Sequence, residues 1–143
     1  MNEIDISTDV ARLDLGVVHG FLSRESHWAR GIDRGTVERS VRNSLCFGAY
    51  RAGGLIGFAR VVTDRATFAF VCDVFVIPEA RGQGVAKLLV NAIMKHPDLQ
   101  GLRRMALTSR DAQGLYERSG FSSLANPERW MERFSPAIYG AAT

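Results

Sequence analysis

Val74-Phe75-Val76-Ile77-Pro78-Glu79-Ala80-Arg81-Gly82-Gln83-Gly84-Val85-Ala86-Lys87 leads a strand into a proline, a glycine-bearing turn and the start of a helix. From Phe68 onward, apolar residues fill the even positions (Phe68, Phe70, Cys72, Val74, Val76) and most odd ones (Val71, Phe75, Ile77). That is the pattern of a strand buried on both faces. Pro78 ends it, and Val85, Leu88, Leu89, Ala92 and Ile93 then recur at helical spacing. The first amides of a helix have no intrahelical partner and point outward, so this order of elements makes a seat for phosphate. Gly82 and Gly84 carry no side chain to fence off those amides, and Arg81 adds planar donors suited to phosphate oxygens. The plainer reading is a turn that uses glycine for dihedral reasons alone. Two established phosphate loops do not fit: no GxGxxG opens a helix, and no GxxxxG is followed by Lys and Ser or Thr.

The chain has 143 residues, 46% hydrophobic and 23% charged, which predicts one domain over 1–143 with a core of its own. No stretch approaches the ~18 apolar residues of a membrane span. The beginning, Met-Asn-Glu-Ile-Asp-Ile, is acidic without a signal-peptide core, so a cytoplasmic location is expected. Cys46 and Cys72 sit in apolar runs and read as reduced core thiols. The net charge is +3, from 16 arginines and two lysines against 15 acids, and no positive run marks a nucleic-acid tail. His19, His27 and His96 show no metal-ligand spacing, and no GxSxG argues for hydrolysis.

In chain order, Ile4 and Ile6 predict an edge strand, and Val10, Leu13, Val17 and Phe21 the apolar face of a first helix ending near Leu22 or Ser23. A polar, glycine-punctuated loop follows to Thr36. Its Trp28 either plugs onto the core or lines a ligand cleft, His27 beside it either joins that cleft or is simply surface-exposed, and Arg24, Arg30 and Arg34 are either solvated or attract an anionic acceptor. Thr36–Asn43 predicts a helix, Leu45–Arg51 and Leu55–Thr63 a hairpin about Gly53-Gly54, and the three strands ending with the one from Phe68 an antiparallel meander. A helix from Gly84 to about Lys95 should return the chain to a parallel strand over Met105–Thr108. A short helix containing Leu115, Tyr116 and Glu117 closes at Gly120. Phe121–Leu124 and Trp130–Phe134 are candidate final strands, and the tail after Pro136 is expected to be poorly ordered.

Val76 to Ala86 resembles the acyl-CoA-binding signature of the GCN5-related N-acetyltransferases (GNAT): Arg or Gln, two residues, Gly, one residue, then Gly or Ala, matched here by Arg81, Gly84 and Ala86. Gly114-Leu115-Tyr116-Glu117-Arg118-Ser119-Gly120-Phe121, about 30 residues on, is similar to the family's segment ending in Leu-Tyr and Gly-Phe. The resemblance runs from about Leu13 to Phe134. It implies an α/β fold with a mixed, strongly twisted six- or seven-stranded sheet flanked by helices, in which the central parallel strands splay to admit acetyl-CoA. Residues matching Val74, Phe75 and Val76 would offer main-chain groups to the pantetheine arm. Those matching Arg81, Gly82, Gln83, Gly84, Val85, Ala86 and Lys87 would hold the pyrophosphate. Asp111 falls near a position where family members often carry a cofactor-contacting Asn, but the segment from there to Tyr116 is about two residues shorter than the usual form.

The reaction so implied is direct attack of a neutral primary amine, on a small molecule or a peptide, upon the acetyl thioester. Tyr116 is the candidate general acid, since a phenol with pKa near ~10 can protonate a departing thiolate. The alternative is a core aromatic whose hydroxyl reaches the solvent boundary. Asp73 is the lone carboxylate in an apolar strand, so it is a base, an anchor for the incoming ammonium, or half of an ion pair with Arg60. An aromatic or partly anionic amine would suit Trp28 and the loop arginines. A non-catalytic acyl-CoA-binding domain is the alternative, and a homodimer through the last strands is compatible with the sequence.

Overall fold

A computed structural model describes residues 3–140. Its five strands stand in the sheet in chain order: β1 (Ile4–Ser7), β2 (Leu45–Arg51), β3 (Gly54–Thr63), β4 (Phe68–Val76) and β5 (Arg104–Leu107). Tight turns dictate the antiparallel run from β2 to β4. Ala52 and Gly53 both take positive φ, 50° and 83°, which gives the two-residue hairpin whose twist suits its flanking strands. The turn thus falls one residue earlier than the anticipated Gly53-Gly54, and Gly54 already belongs to β3. In the next turn the Asp64 carboxylate accepts from the Thr67 hydroxyl and from the amides of Ala66, Thr67 and Phe68, which holds it well below the usual carboxylate range.

Helix α3 (Val85–Lys95) covers one face of the sheet and returns the chain so that β5 runs parallel to β4, pairing Phe68↔Arg104 through Val71↔Leu107. Phe47, Ala59, Val61 and Val71 meet Val85, Leu89 and Ile93 on that face. On the other, Cys46, Tyr50, Phe58 and Phe75 meet α1 (Leu15–Gly20), the turn that follows it and α2 (Arg34–Arg42) through Val18, Leu22, Val37 and Val41. Gly57 explains how closely α3 lies: a Cβ there would stand 2.8 Å from the Val85 side chain and 3.3 Å from that of Leu89. No helix among the described residues is long and apolar enough to cross a membrane.

The doubly apolar pattern of β4 has a local cause. Phe58 pairs with Phe75 and Arg60 with Cys72, so the single residue Ala59 faces two on β4, Asp73 and Val74. Asp73 takes φ of 53°, the left-handed conformation that aspartate tolerates better than most residues. One extra residue inverts the facing of everything beyond it. Ahead of the bulge the odd residues Ala69 and Val71 pack toward α3; after it Val74 and Val76 do, and odd Phe75 turns to the α1–α2 side. Each half of β4 therefore alternates, and the two alternations are out of phase.

Several expectations are corrected. The sheet has five strands among the described residues, where six or seven were anticipated, because Phe121–Leu124 and Trp130–Phe134 form no ladder. Gly120, at φ 93°, turns the chain out of α4 (Gln113–Glu117), and the segment after it passes β5 at a distance, leaving a cleft of about 1010 Å³ rather than a strand pairing. The first helix is shorter at its start, since Asp9 and Asp14 cap separate turns; it then widens into a π turn at Phe21–Glu25. Asp33, accepting from the Thr36 amide at 3.1 Å, starts α2 two residues before Thr36. Cys46 is buried, but Cys72 is only half-buried. Of the tail after Pro136, Ile138 and Gly140 close turns onto Ser135 and Ala137, and 141–143 lie outside the described residues.

Gly57→Ala forces β3 and α3 apart and is expected to cost about 1–3 kcal/mol, read as a lowered urea midpoint with unchanged slope. Parent-like stability would show that the helix does not dock this closely.

Candidate functional site

The β4–β5 ladder stops at Val71↔Leu107, while β4 continues for five residues to Val76. Among the described residues, the main chain of Cys72–Val76 has no strand partner on the β5 side, and the bulge sits at the start of this free stretch. An opening between two parallel strands follows, with unpaired backbone groups along one wall.

The far end of that wall leads into the glycine turn. The Ile77 amide donates to Ile56 O at 2.9 Å, Pro78–Ala80 makes one helical turn, and Arg81 Nε donates back to Val76 O at 3.2 Å. Gly82 and Gly84 take φ of 75° and 79°, and a Cβ at either would meet nothing within 4 Å. The space before them is open. No side chain caps α3, whose first closing bond is Leu88 N to Gly84 O at 3.1 Å, so the amides of Val85, Ala86 and Lys87 have no intrahelical acceptor. Uncovered donors, the positive end of an eleven-residue helix, and exposed Arg81 and Lys87 suit a phosphorylated ligand. Gln83 points back, its Nε2 donating to Glu79 O at 3.5 Å.

At the bulge, Asp73 is held from two directions. Arg60 Nε donates to its Oδ2 at 2.8 Å, and Trp28 Nε1 to its Oδ1 at 2.7 Å. The Arg60–Asp73 ion pair anticipated from sequence is therefore formed, with side chains 19% and 10% exposed. Burial is the largest single influence and lowers Arg60, but the Asp73 charge and hydrogen bond, together with the two neighbouring cysteines, offset it and the guanidinium is raised. Arg60 also donates to Ser44 Oγ at 3.0 Å and pairs across the sheet with both Cys46 and Cys72. Burial pushes those thiols up, to about 12 and about 11, so they stay neutral beside the cation.

Trp28 is 42% exposed, yet fixed. Buried Ser26 donates to Leu22 O at 2.6 Å and accepts from the Ala29 amide at 3.0 Å, stapling the loop on either side of it. His27 meets the indole edge-on at 5.0 Å, and Phe21 lies 6.5 Å from it while stacking on Phe75 at 4.1 Å. Aromatic rings thus run from β4 to the surface beside Asp73. Neither Ser26 nor Ser44 was legible as part of this site, since a serine in a polar loop carries no signal of its partner. Of the loop arginines, Arg30 donates to Arg24 O at 3.2 Å and Arg34 lies 3.7 Å from Glu38, and all three residues are exposed.

Tyr116 stands on α4, 7% exposed, and with Met105, Leu107 and Ser109 lines the cleft along β5. Phe121 packs edge-on to it at 5.9 Å. Burial raises the phenol above its ordinary pKa, so it is protonated at neutral pH. Asp111 is exposed in the loop between β5 and α4. The structure thus joins Trp28, His27 and Asp73 at one end of the free β4 edge, and sets residues 81–87 at the other.

A family profile described as acetyltransferase (GNAT) family matches residues 18–121. A crystal structure of a Xanthomonas campestris protein assigned to the GNAT family superposes with a TM-score of 0.95 at 48% identity, covering 99% of both chains. A Gibberella zeae protein named as an acetyltransferase is 27% identical, over 80% of this chain and 76% of its own. A Clostridium acetobutylicum structure, determined with acetyl-CoA, shares the fold at a TM-score of 0.65 and 13% identity, covering 94% of this chain and 96% of its own.

Asp73→Asn keeps the shape but leaves Arg60 without a counter-charge, and about 2 kcal/mol of stability is expected to be lost in urea unfolding. A change in Trp28 fluorescence at zero denaturant should accompany it. Parent stability would show that the pair is solvent-screened.

Proposed function

The chain belongs to the acetyltransferase (GNAT) family, and on that premise we propose that it moves the acetyl group of acetyl-CoA to a primary amine of a small molecule or a peptide. Family and fold support acetyl-CoA-dependent acetyl transfer in general. The observation that carries the specific reading is the pairing of an uncapped, glycine-opened helix terminus with a free stretch of parallel strand. A phosphate-bearing, amide-containing arm needs both at once.

In this reading the amides of Gly82 and Gly84–Lys87 receive the pyrophosphate, with Arg81 and Lys87 supplying charge. The free main chain of Val74, Phe75 and Val76 meets the pantetheine amides. Asp111 is the weakest of the cofactor contacts, being exposed on the shortened loop. Bound acetyl-CoA supplies a thioester carbonyl open to attack by a neutral amine. The protein's contribution is alignment, together with donors placed where negative charge develops, near Val76.

Tyr116 carries a proton at neutral pH and is assigned as the acid that protonates the departing thiolate. With both oxygens occupied, Asp73 is assigned a placing role: it fixes Trp28 in the acceptor wall with His27.

An acetyl-CoA-dependent thiol-release screen across amines, amino acids and peptides tests the activity directly, and no release with any acceptor under saturating donor would count against it. Gly84→Ala puts a Cβ over the amides at φ 79°, so CoA affinity by calorimetry is expected to fall tenfold or more (about 1.4 kcal/mol), against a stability loss of about 1 kcal/mol. Tyr116→Phe is expected to lower kcat by about 10²-fold with little change in CoA affinity. For the parent, turnover should climb with pH as the acceptor deprotonates and show no falling limb below about pH 10, because the phenol is raised and not depressed. A parent-like rate in the phenylalanine variant would remove Tyr116 from the chemistry.

A further inference from the structure

The face of the sheet that carries α1 and α2 is covered only in part. Register places Arg60, Val62, Phe70, Cys72 and Ala106 on it: Arg60 stands opposite Cys72, and Phe70 pairs with Val62 on one side and Ala106 on the other. The core under α1 and α2 takes in Cys46, Phe58 and Phe75, but not Val62, Phe70, Cys72 or Ala106. Nor do these four join the core under α3, toward which their neighbours Val61, Val71 and Leu107 point. Val62 is 43% exposed and the other three are half-buried, so an apolar strip three strands wide lies open to water.

We propose that this strip seats the body of the acceptor, and that the acceptor is a small arylalkylamine, an aromatic ring carried one or two carbons from its amino group. This rests on the acetyl-transfer reading for where the amine must point. On that reading the thioester lies along the free stretch Cys72–Val76, and the amine reaches it at the bulge, where its C–N bond forms as the C–S bond breaks and the thiolate takes the Tyr116 proton. The strip begins at that bulge. Arg60 pairs with Cys72 on this face, and Asp73 holds both Arg60 and Trp28, so the wall of Trp28 and His27 runs straight into it. At the far end Phe68 pairs with Arg104, whose guanidinium lies 5.0 Å from the Trp130 ring. Three strands and the four-residue step from Cys72 to Phe68 give a strip of about 10 by 13 Å, the span of one ring and a short linker.

The chemistry of the strip selects this class over its rivals. Asp73 at its head has both carboxylate oxygens engaged, and Asp64, on the turn past its other end, spends its own on the Thr67 hydroxyl and three amides. Neither is free to hold the second ammonium of a diamine. A peptide fits poorly as well: the main chains of β3 and β4 here are paired with each other, so the face offers side-chain carbon and nothing to receive the peptide's amides. An arene asks only for apolar contact, which Phe70 between branched Val62 and small Ala106 provides. Selection is then by the body of the amine and not by its charge, each carbon laid on the strip leaving water.

Thiol release from acetyl-CoA is compared for 2-phenylethylamine and ethanolamine, two-carbon primary amines that differ in the body they carry. The parent is expected to give a kcat/KM at least tenfold higher for 2-phenylethylamine. In Val62→Glu that preference should fall tenfold or more, with CoA affinity by calorimetry and far-UV circular dichroism like the parent's. Val62→Thr keeps the branched shape and should lower the preference about threefold, which serves as the test if the glutamate variant does not fold. Equal kcat/KM for the two amines in the parent, or a preference that folded Val62 variants leave unchanged, would overturn the assignment. If no amine is acetylated, the acetyl-transfer reading fails by itself, and calorimetric titration of 2-phenylethylamine into the CoA-loaded parent decides the strip: binding that weakens in the Val62 variants supports it, and no binding, or binding the variants leave unchanged, overturns it.

Discussion

A single aspartate in the left-handed region, placed where one residue of β3 faces two of β4, organises this molecule. The bulge at Asp73 reverses the facing of the strand beyond it, which lets Phe75 join the α1–α2 core while Val74 and Val76 support α3. It also stands just past the last β4–β5 pair, where the parallel strands cease to bond. A regular strand would keep its neighbour, and the opening that exposes Cys72–Val76 would close.

Such a conformation persists only if its surroundings insist on it. Here the insistence is electrostatic and directional. Arg60 and Trp28 grip separate carboxylate oxygens, Ser44 takes a further guanidinium proton, and two neutral thiols flank the cation. A buried ion pair contributes little net stability when it merely replaces apolar packing, because both charges must be desolvated. Its value here is in specifying register: a one-residue slip would bury an unpaired arginine on β3. The same bonds carry the position of Trp28 from the sheet to the surface, so the geometry of the strand and that of the neighbouring wall are one constraint.

What could be read from sequence was what neighbours in sequence decide. Pro78, Gly82 and Gly84 mark a strand end, a turn and an uncapped helix start by local chemistry, and the structure keeps all three. The parallel return of β5 followed from the length of the crossover. The bulge was invisible for the opposite reason: it is a relation between Ala59 and Asp73-Val74 across two strands, and its only trace was apolar residues at both parities, which mimics a strand buried on both faces. Asp73 and Arg60 could be paired by their rarity in apolar strands, whereas the Trp28 bond spans 45 positions and depends on a loop stapled by Ser26. Phe121–Leu124 and Trp130–Phe134 have strand composition but no ladder, since composition records what a segment could pair with, and pairing needs a partner within reach.

Two of the free strand edges in this sheet differ in their surroundings. The β4 edge is free because the strand bends away at a bulge, and it lies between a fixed aromatic wall and a helix terminus whose donors are uncovered; the groups that surround it are polar and aimed. The β5 edge is free because no further strand forms among the described residues, and the cleft beside it mixes Met105, Leu107 and Leu124 with Arg104, Glu117 and Ser122. Water serves the first environment adequately until a ligand with matching acceptors displaces it, which is the condition for reversible binding. Because Tyr116 sits on the wall of that second cleft, the packing of the β5 edge and the surroundings of the phenol cannot vary independently.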